Sequence, residues 1–142
     1  MIWSAIGALL MALGVMLGAF GAHALKDHLD AYSLDVYQKA VFYHFIHALG
    51  ILIVSMLPQP ASARNTVCAL LLAGIILFSG RLYLLAITGT RALGAVTPFG
   101  GLAFIAAQTE LYRKAGKTNA RDLALTDYCQ AVMCFNECVF VE

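Results

Sequence analysis

Four long apolar runs, separated by short polar stretches, set the pattern of this chain. The first extends from about Ile2 to Ala24, the second from about Tyr37 to Leu57 and the third from about Thr66 to Thr88; the fourth begins at Ala92. A helix crosses a bilayer with ~20 apolar residues, so the first three runs are long enough to span. The fourth is shorter. Ala92 to Ala107 contains Pro98 and is followed by Gln108, Thr109 and Glu110, so a full crossing requires the helix to continue to about Tyr112.

The breaks between runs have physical causes. Lys26 to Lys39 reads as a polar loop carrying Asp27, His28, Asp30 and Asp35. Pro58-Gln59-Pro60 stops the second span, because proline lacks the N–H that continues a helical ladder. The third span is interrupted in its pattern by Ser79-Gly80-Arg81, and Gly89-Thr90-Arg91 is a turn short enough to force an antiparallel hairpin. The pattern predicts an all-α fold, a membrane four-helix antiparallel bundle over residues 1–112. A basic juxtamembrane segment and tail occupy 113–142. Tyr128 to Val141 is short and includes Gln130, Asn136 and Glu137, so the tail should lie on the cytoplasmic surface or be disordered rather than span.

Composition supports the membrane reading. Hydrophobic residues make up 61% of the 142 residues and charged residues 12%, and the mean hydropathy is +0.81. A net charge of +1 with no basic face gives no reason to expect nucleic acid as a partner. Cys68 sits alone in an apolar run, and Cys129, Cys134 and Cys138 match no common zinc spacing, so no disulfide framework is read. Ala22-His23-Ala24 resembles a signal cleavage site, but no basic residue precedes the long first run, which favours a retained helix.

Orientation follows from Lys and Arg near the span ends. Arg64, Arg113, Lys114, Lys117 and Arg121 fall on the side of both termini, against Lys26, Lys39 and Arg91 on the other. The expectation is a multi-pass plasma (inner) membrane protein with cytoplasmic termini.

The polar exceptions carry what chemistry there is. His44 and His47 stand one helical turn apart in Tyr43-His44-Phe45-Ile46-His47, and ionisable residues inside a span are functional candidates by default. Antiparallel order brings His23, His44, His47, Arg81 and Thr97 to similar depth in the outer half of the bilayer, where inward-facing side chains would form one polar cavity with Ser79 as a further candidate. Pro98 releases the Gly94 carbonyl, and Arg81, with five donors, could satisfy it. Set against this, membrane histidines often only hold helices in register, and Arg81 can snorkel as an anchor. Tyr43, Tyr83 and Trp3 read as interfacial belt residues, and Phe42 to Phe99 as packing.

Small residues recur on the first span as Ala8-x-x-x-Ala12, Gly14-x-x-x-Gly18 and Gly18-x-x-x-Ala22, a spacing that allows close helix approach within the chain or in an oligomer. The leading functional expectation is a non-catalytic helical module that self-associates or joins a larger membrane complex. The sequence places no nucleophile with a base and no phosphate loop. The alternative is a transport or binding protein for a divalent metal such as zinc or copper, or for a small ligand, using His23, His44 and His47. An enzyme acting on a lipid or quinone through the histidines is the least supported reading.

Four motifs in order add a resemblance: Leu17-Gly-Ala-Phe-Gly-Ala-His23, Tyr43-His44-x-x-His47-Ala48-Leu49, Leu77-Phe78-Ser79-Gly80 with Leu82-Tyr83, and Thr97-Pro98-x-Gly100-Gly101. Over roughly Gly7 to Ala107 the chain resembles the YgdD-like and transmembrane protein 256 family of small membrane proteins of unknown function. That resemblance implies a four-helix membrane protein and brings no activity, substrate or cofactor. The chain departs from the family's pattern after Ala107, where Gln108 opens a polar segment in place of further apolar residues.

Overall fold

The computed structural model describes residues 2–90 and 97–127, with backbone alone for 97 and 98. Four long helices are present: α1 (Ile2–Leu25), α2 (Ala31–Met56), α3 (Ala61–Thr88) and α4 (Thr97–Lys114), and no strand occurs among the described residues. The first three are long and apolar enough to cross a membrane. The apolar residues that precede Thr97, and the Gly94 carbonyl with them, lie outside the described residues. α4 itself continues past Tyr112 to Lys114.

The loop between α1 and α2 is shorter than the polar pattern suggests. Residues 31–39 are helical, and α2 begins where the Asp30 carboxylate accepts from the Ser33 N–H at 2.6 Å. Hydrogen bonding to this amide holds the Asp30 carboxyl below its usual range. An Asp35–Lys39 pair at 2.7 Å, one turn apart, keeps this polar stretch helical. Likewise α3 starts at Ala61, straight after Pro60, five residues before the expected start. Gly89 ends α3 in the left-handed conformation (φ 66°), which a residue with a Cβ adopts at a cost.

Two helical segments are underwound, their hydrogen bonds closing over one more residue than in an α-helix. Gly21–Leu25 closes α1 and Ile75–Gly80 lies inside α3, each as π-helix. The expected interruption at Ser79-Gly80 is therefore a bulge in a continuous helix, of the kind that often marks a functional position.

α1 packs antiparallel on α2 through glycines. A Cβ on Gly7 would meet Leu52, on Gly14 Phe45 and on Gly21 Tyr37, so each step of about two turns along α1 is answered by a step back along α2. Ser55 donates to Ser4 at 3.2 Å in the same seam, and the Tyr37 hydroxyl donates to the Leu17 carbonyl at 2.9 Å. α3 and α4 interlock reciprocally: Phe104 covers Gly74, and Phe78 lies over Gly100 with its backbone N 2.5 Å from where a Cβ would stand. Between the pairs, Ala48, Ile51 and Val54 of α2 pack on Val67, Cys68 and Leu71 of α3 and on Phe104 and Ala107 of α4.

One end of the bundle gathers the start of α1, the Pro58-Pro60 connection and the end of α4. The Trp3 indole donates to Asn65 at 2.9 Å, and Pro58, Gln59 and Pro60 share a surface groove with Leu111 and Lys114. Residues 120–127 then form a short helix, with Ala120 and Ala124 buried. Gln108 donates to the Asp127 carboxylate at 3.0 Å, and the Tyr112 hydroxyl donates to the same oxygen. This part of the tail is thus tied to α4 by a carboxylate. Tyr128 to Val141 lies outside the described residues.

Candidate functional site

His44 is the buried histidine. It is 3% exposed and stands on the face of α2 turned toward α1 and α3. Its Nδ1 lies 3.4 Å from the Tyr83 hydroxyl, and its Nε2 has no hydrogen-bond partner in the protein. Tyr83 in turn meets the Tyr37 ring edge-on, centroids 5.0 Å apart. His44 and Tyr83 line a cavity of about 230 Å³ whose remaining walls are Leu10, Leu13 and Leu17 of α1 and Ile75, Ile76 and Gly80 of α3.

His47 turns the other way. Its ring lies face to face on Phe104 of α4, centroids 3.4 Å apart and planes 11° from parallel. Its Nδ1 is 2.7 Å from the Tyr43 carbonyl one turn back, a distance that makes this nitrogen the N–H donor. Tyr43 stacks beside it and leans on Phe78 at 4.7 Å, and Phe78 leans on Phe104. The two histidines, one turn apart, therefore serve two separate ring clusters.

The other sequence-predicted positions do not join them. His23 falls in the π segment that ends α1 and is exposed. Ser79 is fully buried, yet its hydroxyl bonds neither histidine and has no hydrogen-bond partner in the protein. Arg81 is half-buried at the first turn after the π segment. Thr97 opens α4, and its side chain lies outside the described residues. Among the described residues no three His, Cys, Asp or Glu side chains come within reach of one metal ion, so the imagined His23–His44–His47 set is not assembled. Imidazole suits zinc and copper, but only His44 of these three lines the cavity.

Sequence reasoning missed the partners. By pattern Tyr83 and Tyr43 read as interfacial residues, whereas each is packed against a histidine of α2. Phe104 was not singled out at all. The one available signal was Gly74 on the neighbouring span, a small residue able to admit a large ring.

With this geometry in place, similarity to known proteins becomes informative. The family described as "Protein of unknown function (DUF423)" matches residues 17–101, more than half of the chain. The chain belongs to this family. A relative, the UPF0382 membrane protein YwdK of Bacillus subtilis, is 46% identical over 103 residues, covering 70% of this chain and 84% of that protein. The UPF0382 membrane protein SH2409 of Staphylococcus haemolyticus is 45% identical over 102 residues, covering 71% and 84%. Such relatives, together with three helices apolar enough to span, make this a membrane protein. No solved structure matches the chain significantly. The DUF423 match contains His23, His44, His47, Ser79, Arg81, Tyr83 and Thr97; Leu10, Leu13 and Phe104 lie outside it.

Proposed function

We propose that this chain is a non-catalytic helical module of the plasma membrane that associates with a second copy of itself, or with a larger membrane complex, through the outer face of α1. The observation that carries this reading is that α1 has two small-residue seams back to back. The glycines at 7, 14 and 21 meet α2. On the opposite side Ala5, Ala8, Ala12 and Ala19 recur at helical spacing, and all are exposed. In lipid, helix association comes from van der Waals packing, which small residues favour by letting backbones approach.

The non-catalytic part rests on the sequence, where no nucleophile stands with a base. For orientation, Arg64, Arg113, Lys114 and Lys117 lie at or just beyond the end that holds the start of α1, which supports cytoplasmic termini by the positive-inside rule.

Cross-linking tests the reading. In a full-length chain whose native cysteines are replaced by serine, Ala12→Cys in the native membrane should give an oxidised dimer. Ile53→Cys, exposed on α2, serves as the control. Cross-linking at position 12 no greater than at position 53 would contradict association through this face.

A further inference from the structure

His44 and Ser79 are the buried polar side chains among the described residues, and His44 lines the cavity between α1 and α3. Its Nε2 is left without a partner there. The cavity is otherwise apolar, and two of its wall residues, Leu13 of α1 and Ile76 of α3, are themselves exposed at 39% and 61%. Both belong to apolar stretches of spanning helices, so the opening faces lipid between α1 and α3. A ligand would enter from the bilayer.

We propose that this cavity binds a neutral, lipophilic carbonyl compound, its apolar body between α1 and α3 and its C=O oxygen accepting a hydrogen bond from Nε2–H of His44. The direction of that bond follows from Tyr83. A half-buried phenol is best served by an acceptor, and Nδ1 of His44, 3.4 Å away, offers a lone pair only in the tautomer that carries its proton on Nε2.

Other ligand classes fit less well. A cation would need more than one ligating side chain, and no three such groups converge among the described residues. An anion would enter an apolar cavity that has no fixed positive charge in its lining. A plain hydrocarbon chain would fill the space and leave Nε2–H unsatisfied. The volume, about 230 Å³, matches a small two-ring ketone better than a whole lipid. The same chemistry has two possible sources, a carbonyl compound dissolved in the bilayer or the ester carbonyl of a phospholipid.

Benzophenone is a suitable probe, because it is a neutral two-ring ketone that inserts into nearby C–H bonds on irradiation. In the full-length chain reconstituted into ether-lipid vesicles, which lack ester carbonyls, labelling should saturate and concentrate on Leu10–Leu17 and Ile75–Tyr83. Diphenylmethane, the same shape without oxygen, should not compete. His44→Phe should reduce this labelling by about tenfold or more, the loss associated with one buried hydrogen bond, whereas His44→Gln keeps a donor and should retain most of it. Tyr83→Phe should weaken it by freeing the tautomer. Labelling that is unchanged in His44→Phe, or spread evenly over Leu9 and Ile53, would overturn the proposal. Should His44→Phe fail to fold, the wild-type His44 Nε2–H resonance decides: it should shift with benzophenone and not with diphenylmethane, and equal responses would also overturn it. Repetition in ester-phospholipid vesicles separates the sources. Weaker labelling there assigns the site to a lipid ester, and unchanged labelling assigns it to a dissolved carbonyl compound.

Discussion

Phe104 of α4 lies flat on His47 of α2, ring centroids 3.4 Å apart, while the edge of the same Phe104 side chain fills the space left by Gly74 on α3. One residue thereby joins three helices. The imidazole is held by its faces and by Nδ1 bonded to the Tyr43 carbonyl, so it acts as a flat aromatic spacer. His47→Phe should preserve the stack and cost less than His47→Leu. The difference should be about 0.5–1.5 kcal/mol, the usual worth of an aromatic pair beyond its area. Thermal unfolding in detergent checks the order.

Glycine substitutions on α1 should separate by register. A Cβ at Gly21 would stand 2.5 Å from a Tyr37 ring carbon, and moving that ring endangers its 2.9 Å bond to the Leu17 carbonyl. At Gly18 the nearest atom, on Val41, is 3.4 Å away. Gly21→Ala should therefore lower stability by roughly 1–3 kcal/mol, with Gly18→Ala close to neutral and Gly18→Ile damaging. The cost falls on α1–α2 packing within one chain, so the monomer's own unfolding is the measurement.

The cap of α2 gives a pH-dependent local effect. Bonding to the Ser33 amide holds the Asp30 pKa below its ordinary value of 3.8. A carboxyl depressed in the folded state contributes stability above its unfolded pKa and loses it as pH falls through the folded one. Amide exchange at Ser33 and Leu34, corrected for its intrinsic pH dependence, should be protected at neutral pH and deprotected as pH falls below about 4. Asp30→Asn, which keeps an acceptor, should remove most of that pH dependence while retaining the cap.

Residues 120–127 should detach when their carboxylate is removed. Asp127 accepts from both Gln108 and Tyr112, so Asp127→Ala leaves two donors on α4 without their partner. Faster amide exchange at Ala120 and Ala124, with α1–α3 unchanged, is the expected outcome in hydrogen-exchange mass spectrometry.

The helical architecture was legible because membrane spans announce themselves by apolar length. Their starts and faces were not. Residues 31–39 look like a loop because Asp35, Gln38 and Lys39 are polar, yet an Asp30 cap and an i,i+4 ion pair make them helix. Spacing revealed that α1 has small residues at 8, 12, 14 and 18 but not that Gly14 meets α2 while Ala8 and Ala12 stay exposed, since both residue types permit close approach. His44 and His47 stand out in the sequence as polar exceptions within a span. Three residues of separation rotates a helix by about 60° short of a full turn, and that difference sends one ring to Tyr83 and the other to Phe104. Depth arguments could not find these partners, because they depend on which helix packs where.

Association through the outer alanine seam of α1 is the central functional claim, and the mass of the particle in native lipid nanodiscs tests it most directly. Native mass spectrometry of the wild-type chain should give two copies or one copy with another membrane protein. Ala8→Leu with Ala12→Leu, which fills an exposed seam and no interior contact, should return a single folded chain. A lone wild-type chain, or an assembly unchanged by both substitutions, would contradict the account.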